Sequence, residues 1–207
     1  MNSSSSNQDK HKNSNLVEYK VIICGDTCVG KTSILFRYLH NSFSDIQFST
    51  VSSQGYVIEI DLKNGKPPIR LSVWDTAGQE QYNSIVKVFF READAVVLVF
   101  DVTNENTFTN LKKWHDIASA NCPSNSLYFI AGNKIDLPYE QHISDNTEIA
   151  NMQKCLGATS YVSCSAKSGE GVPELFELIA KNVSSISKDT NNNVNIEKDE
   201  KKSKKCC

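Results

Sequence analysis

The chain has no apolar run long enough to cross a bilayer. Its longest, Ala95 to Phe100, has six residues, against the roughly 20 that a spanning helix needs. The opening stretch MNSSSSNQDKHKNSN holds no apolar segment, so no secretory leader is expected. Residue 2 is Asn2 rather than glycine, which removes the signal for N-myristoylation. Net charge is only −2, and so small an imbalance gives no electrostatic reason to expect nucleic acid as a partner. The seven cysteines contain no C-x-x-C pair, and His11, His40, His115 and His142 are scattered without ligand spacing. A zinc site is therefore not expected. No Ser-His-Asp pattern is visible either. Cys24 lies inside an apolar run and Cys164 beside one, as buried reduced thiols do. A protein of this kind meets a membrane only by being anchored to it.

What is present is one domain's worth of alternating periodic segments, expected over residues 16–183. Residues 1–15 are Ser/Asn-rich, and 184–207 lose their aromatics in favour of Asn, Lys and Asp. Both ends are expected to be disordered, the second as a flexible tail. Between them YKVIICG, GYVIEIDL, IRLSVWD, AVVLVFDV, SLYFIAGN and TSYVSCSA read as strands. KTSILFRYLH, NTFTNLKKWHDIA, NTEIANMQKCLG and VPELFELIAKNV read as helices. Strands alternating with helices imply an α/β fold with a mostly parallel sheet covered on both faces. The pair Asn64-Gly65 between the second and third strands signals a hairpin, which places one antiparallel strand at an edge. The stripe Phe108, Leu111, Trp114 and Ile117 has helical spacing and reads as core packing, as does Trp74.

GDTCVGKT, Gly25 to Thr32, fits G-x-x-x-x-G-K-[ST] between a strand and a helix. Backbone N–H groups of such a loop and the helix N-terminus surround phosphate oxygens with positive potential. Lys31 adds a point charge at the β/γ-phosphates, and the Thr32 hydroxyl can ligate Mg²⁺. NKID, Asn133 to Asp136, follows a strand, where ligands of open α/β sheets gather. The Asp136 carboxylate can accept from guanine's N1–H and exocyclic amino group, donors that adenine does not offer in that arrangement. Sites built on such bonds reject the wrong partner by roughly 10⁴ or more. SAK, Ser165 to Lys167, follows the last strand and could turn backbone groups toward guanine O6. WDTAGQE, Trp74 to Glu80, begins at a strand end. There Asp75 can hold Mg²⁺ through water, Gly78 admits close approach to a γ-phosphate, and Gln79 can orient an attacking water.

The order and spacing of GDTCVGKT, Thr50, DTAGQE, NKID and SAK resemble a Ras-superfamily small GTPase. WDTAGQE, FDVTNENTF and the final Cys206-Cys207 are most similar to the Rab branch. The resemblance implies a P-loop G domain with a six-stranded, mostly parallel sheet, one antiparallel edge strand and about five helices. It implies GTP/GDP and Mg²⁺ as ligands. The residues it assigns to them are Gly25, Asp26, Thr27, Cys28, Val29, Gly30, Lys31 and Thr32, with Asp75, Thr76, Ala77, Gly78 and Gln79. On the base side it assigns Asn133, Lys134, Asp136, Ser165, Ala166 and Lys167, with Phe43 flanking the guanine. Thr50 matches the threonine that closes over Mg²⁺ and the γ-phosphate, so the metal set is Thr32, Thr50 and Asp75, the last through water. Lys31, Thr50 and Gln79 would be the catalytic residues, and release of the γ-phosphate would free the loops carrying Thr50 and Gly78. Two departures stand out. VSSQGY replaces the usual I-G-V-D-F after Thr50, in a region that meets effectors, and Cys28 stands where family members often carry glycine.

The implied partners are an exchange factor, a GTPase-activating protein (GAP), a GDP-dissociation inhibitor with a prenylation escort, and GTP-state effectors, around a monomeric G domain. Prenyl groups on Cys206 and Cys207 would hold it on the cytoplasmic face of an intracellular or plasma membrane, with a soluble cytosolic pool. From Val194 on, five lysines face three acids, a net of +2. At about 1 kcal/mol for each lysine near an anionic surface, the tail tunes an anchor that two lipids supply. The alternatives are a GTP-dependent scaffold with little hydrolysis, a P-loop phosphotransferase or ATPase, and a Ras- or Rho-like signalling GTPase. The phosphotransferase gives NKID no task, and the signalling relatives usually end in C-a-a-X.

Overall fold

A computed structural model describes residues 16–44, 54–63, 65, 67–76, 86–138 and 145–186. Six strands form a single sheet: β1 Glu18–Gly25, β2 Gln54–Ile60, β3 Ile69–Asp75, β4 Ala95–Asp101, β5 Leu127–Asn133 and β6 Ser160–Ser163. Their spatial order is β2-β3-β1-β4-β5-β6. Only β2 runs antiparallel, pairing with β3 from Gln54↔Asp75 to Ile60↔Ile69. The expected hairpin and antiparallel edge are thus observed. Gly65 in its turn takes φ +76, while Asn64 lies outside the described residues.

The central strands are near-continuous apolar runs because both of their faces are covered. Val21 and Ile23 of β1, with Val97 and Val99 of β4, pack on one side against Ile34 and Leu35 and against Leu175, Phe176 and Ile179. Those side chains come from α1 (Lys31–His40) and α6 (Val172–Val183). Ile22, Cys24, Leu98 and Phe100 face the other way, onto Phe90, Phe108, Leu111, Trp114 and Met152. These belong to α2 (Val86–Phe90), α3 (Glu105–Thr109), α4 (Leu111–Ser119) and α5 (Asn146–Cys155). The period-2 alternation of strand side chains thus serves two separate cores.

The structure differs from the sequence expectation in two helices. NTFTNLKKWHDIA is not continuous: α3 ends at Thr109 and α4 starts at Leu111, with Asn110 between them at φ −70, ψ −10. The five-residue α2 carries too few residues to show a 3.6-residue period. Cys24 and Cys164 are buried as expected, and burial pushes the Cys164 thiol up to about 12.

Phe176 is fully buried and lies 4.3 Å, centroid to centroid, from Tyr38 of α1, so it ties α6 to the helix that begins at the phosphate loop. Phe176→Ala should cost about 3–5 kcal/mol in urea unfolding, with the midpoint falling and the slope unchanged.

Candidate nucleotide-binding site

All five parallel strands point their carboxyl ends to one edge of the sheet, and β1 lies where the order reverses, flanked by β3 and β4. That crevice is where open α/β sheets bind ligands. Gly25 ends β1, Asp75 ends β3, Asp101 ends β4 and Asn133 ends β5. Asp101 and Asn133 are register partners.

The phosphate loop leads directly into α1. Gly30, the N-cap, contributes no capping side chain, and the first turn holds no acidic residue. By contrast, α5 closes its N-terminus with Asp145, whose carboxylate accepts from Thr147 and Glu148 N–H in a capping box. An N-terminus without its own carboxylate suits an incoming anion. Lys31 is buried, and its Nζ donates to the carbonyls of Gly25 and Asp26, both at 2.8 Å. The Thr32 hydroxyl donates to Asp75 Oδ2 at 2.5 Å, joining the start of α1 to the end of β3. Thr76 is buried, and its hydroxyl is taken up by the Ile23 carbonyl at 2.9 Å. It therefore braces the strand end. Cys28 is exposed and takes φ +65, a left-handed conformation that costs a side-chain-bearing residue about 1–2 kcal/mol. That is a physical reason for glycine at the position.

Asn133 joins the phosphate side to the base side. Its Nδ2 donates to the Val29 carbonyl at 2.8 Å, and its Oδ1 accepts from Ala166 N–H at 3.0 Å. A Cβ at Gly30 would come within 2.3 Å of that Nδ2, and Gly30 has φ +93, so only glycine fits beneath the amide. The Ser165 hydroxyl donates to Asp136 Oδ1 at 2.6 Å and accepts from Lys167 N–H and Ser168 N–H at 3.1 and 3.0 Å. Asp136 itself is exposed. Thr27 and Phe43 are likewise exposed. Thr50, Ala77, Gly78, Gln79, Cys206 and Cys207 lie outside the described residues.

Several residues enter the site that sequence reasoning did not assign to it. Asp26 accepts from Asn110 Nδ2 at 2.7 Å and from Trp114 Nε1 at 2.8 Å. Trp114 is core packing, as its spacing suggested, and its indole N–H also holds the phosphate loop. Trp74 is only partly buried, 5.8 Å from Phe89, so it is shared between core and surface. Lys134, at φ +75, sends its Nζ to Asp101 Oδ2 at 2.6 Å. The signal for Asp101 was available, since it closes a buried strand at the carboxyl edge. Nothing in the local pattern marks Asn110.

Burial would raise the Asp101 carboxyl. Hydrogen bonds from Lys134, from Thr103 N–H and from the Thr103 hydroxyl, together with the Lys134 charge, outweigh it and hold the carboxyl below its ordinary range. A carboxylate depressed in the folded state stabilises fully above its unfolded value of about 3.9 and loses that contribution as pH falls through the folded value. The stability difference between wild type and Asp101→Asn should therefore be full near neutrality. It should close below about pH 4 in urea midpoints measured across pH.

The family model described as Ras family matches residues 20–185. The chain is 35% identical over 158 residues to the Ras-related protein Rab-21 of Mus musculus, spanning 76% of this chain and 69% of that one. It is 38% identical over 166 residues to the Ypt/Rab-type GTPase YPT7 of Saccharomyces cerevisiae, covering 78% and 79%. With the Ras-related protein Rab-5B of Plasmodium falciparum it shares 34% over 183 residues, 88% and 86% of the two chains. With the family model over residues 20–185 and Rab-type relatives matched over most of its length, the chain belongs to the Rab-like small GTPases and hydrolyses GTP.

Proposed function

We propose that this protein is a membrane-anchored GDP/GTP switch that recruits effectors in vesicle traffic. The observation that carries the reading is the Thr32–Asp75 hydrogen bond. It couples the helix beneath the phosphates to the strand that leads into TAGQE, so a change at the γ-phosphate reaches that segment through two named oxygens. The same pair, a hydroxyl and a carboxylate at the phosphate loop, fits the oxygen-donor preference of Mg²⁺. The bound ion would neutralise developing charge on the β- and γ-phosphates.

Lys31 and the loop amides stabilise charge on the transferring phosphoryl group, Thr50 closes over it, and Gln79 orients the attacking water. Asp136, with the SAK turn behind it, selects guanine, and Phe43 flanks the base. No arginine is placed to act in cis among the described residues, so intrinsic turnover is slow. A GAP's arginine would raise it by about 10³ to 10⁵. Effectors would meet the region after Thr50, and the exposed apolar side chains Val57 and Val88 are further candidates for contact. Exchange factor, GDP-dissociation inhibitor and prenylation escort complete the cycle. Magnesium, the lipids on Cys206 and Cys207 and the cytoplasmic-face location with a soluble pool all belong to this proposal. No described helix is long and apolar enough to cross a membrane.

Single-turnover hydrolysis with a GAP-containing extract tests the enzyme: Gln79→Leu should bind GTP normally yet lose most of the stimulated rate. Hydrolysis at the wild-type rate would remove Gln79 from its role. The anchor is tested separately by fractionating cells. Replacing both Cys206 and Cys207 by serine should move the protein from membranes to the soluble fraction, and an unchanged distribution would refute lipid anchoring there.

A further inference from the structure

Arg37, on the second turn of α1, is the most extensively bonded arginine among the described residues, and no nucleotide motif includes it. Its Nε donates to the Ala166 carbonyl at 2.8 Å and its Nη2 to the Lys167 carbonyl at 2.5 Å. Its Nη1 donates to the backbone carbonyl and the side-chain oxygen of Asn41, at 2.9 and 3.2 Å. The side chain passes over Gly169, where a Cβ would lie 3.4 Å from Arg37 Cδ and where φ is +92. Three donors of one planar fork are thus spent on two loops.

The consequence follows from peptide geometry. In a trans peptide the C=O and the next N–H point in opposite directions. By holding the Ala166 and Lys167 carbonyls on its own side, Arg37 directs the N–H groups of Lys167 and Ser168 away from itself. Both meet the Ser165 hydroxyl oxygen. With its oxygen occupied by two donors, the hydroxyl's one proton goes to Asp136 Oδ1, at 2.6 Å. Ser165 is fully buried, so water does not compete for this arrangement. Asp136 is exposed, and the bond from the buried Ser165 hydroxyl ties one of its carboxylate oxygens to this relay.

The geometry points to Arg37 as a positioning residue for base selection. It acts through the Ala166–Ser168 peptides and the Ser165 hydroxyl on the carboxylate that reads guanine's amino group. This rests on the assignment of Asp136 to the base. A lysine cannot replace it, since a single ammonium point charge lacks the fork that spans two carbonyls.

The test compares GDP with inosine diphosphate, which keeps the ring N1–H and O6 but lacks the exocyclic amino group. Affinities of the full chain for GDP, inosine diphosphate and ADP are measured in wild type, Arg37→Ala, Arg37→Lys and Ser165→Ala. The GDP-to-inosine-diphosphate ratio should fall roughly tenfold or more in all three variants, the range of a lost hydrogen bond to a charged group. The Arg37→Ala/Ser165→Ala double variant should fall no further, because both act on one relay. A ratio unchanged in Arg37→Lys, or in Ser165→Ala, overturns the inference, even if affinity for both nucleotides drops together or Arg37→Ala does not fold. Failure of the underlying assignment reads differently: wild type would then not prefer GDP to ADP.

Discussion

One side-chain amide holds the site together. Asn133 bonds to Val29, which lies 104 residues before it, and to Ala166, 33 residues after it, from a position that is almost completely buried. Each bond contributes only about 1 kcal/mol net, but a buried amide left without partners would cost more than it gained. The requirement propagates outward. Gly30 must lack a side chain because the amide lies against it, and the loop before α1 must therefore approach β5 closely. The loop before α1 and the turn after β6 are thereby held at a fixed separation.

The residues that sequence motifs single out for ligand chemistry also hold each other in place. Lys31 spans its own loop, Thr32 meets Asp75, and Ser165 meets Asp136, while Lys134 is held by Asp101, which lies outside the motifs. Binding groups held by such neighbours spend little entropy on ordering when a ligand arrives. The loop before α1 is also held from a distance, since Asp26 is fastened to Asn110 and Trp114 at the break between α3 and α4.

Most of the fold could be read from the sequence. The apolar runs of β1, β3, β4 and β5 and the amphipathic spans of α1 and α6 have strong periods, and the bounds of α1, β3 and α6 coincide with the segments expected. The hairpin edge followed from its turn residues. What could not be read has a common cause. The split at Asn110, the role of Trp114 beyond packing, and the reach of Arg37 into a turn about 130 residues away depend on which side chains meet across the folded sheet. No local period encodes that. Conversely, the motif residues were legible because phosphate and base chemistry restrict residue type at fixed spacing. Their mutual bonds are tertiary and were not.

The chain contains two tryptophans, and they report from different parts of the site. Trp74 immediately precedes Asp75 and sits partly exposed beside Phe89 and Lys20. Trp114 is buried, with its indole N–H on the phosphate-loop carboxylate of Asp26. The first indole is reached by solvent, and the second is enclosed with its N–H on a carboxylate oxygen. The protein thus carries two tryptophans in different surroundings, one on the strand leading to TAGQE and one on α4, bonded to the loop before α1.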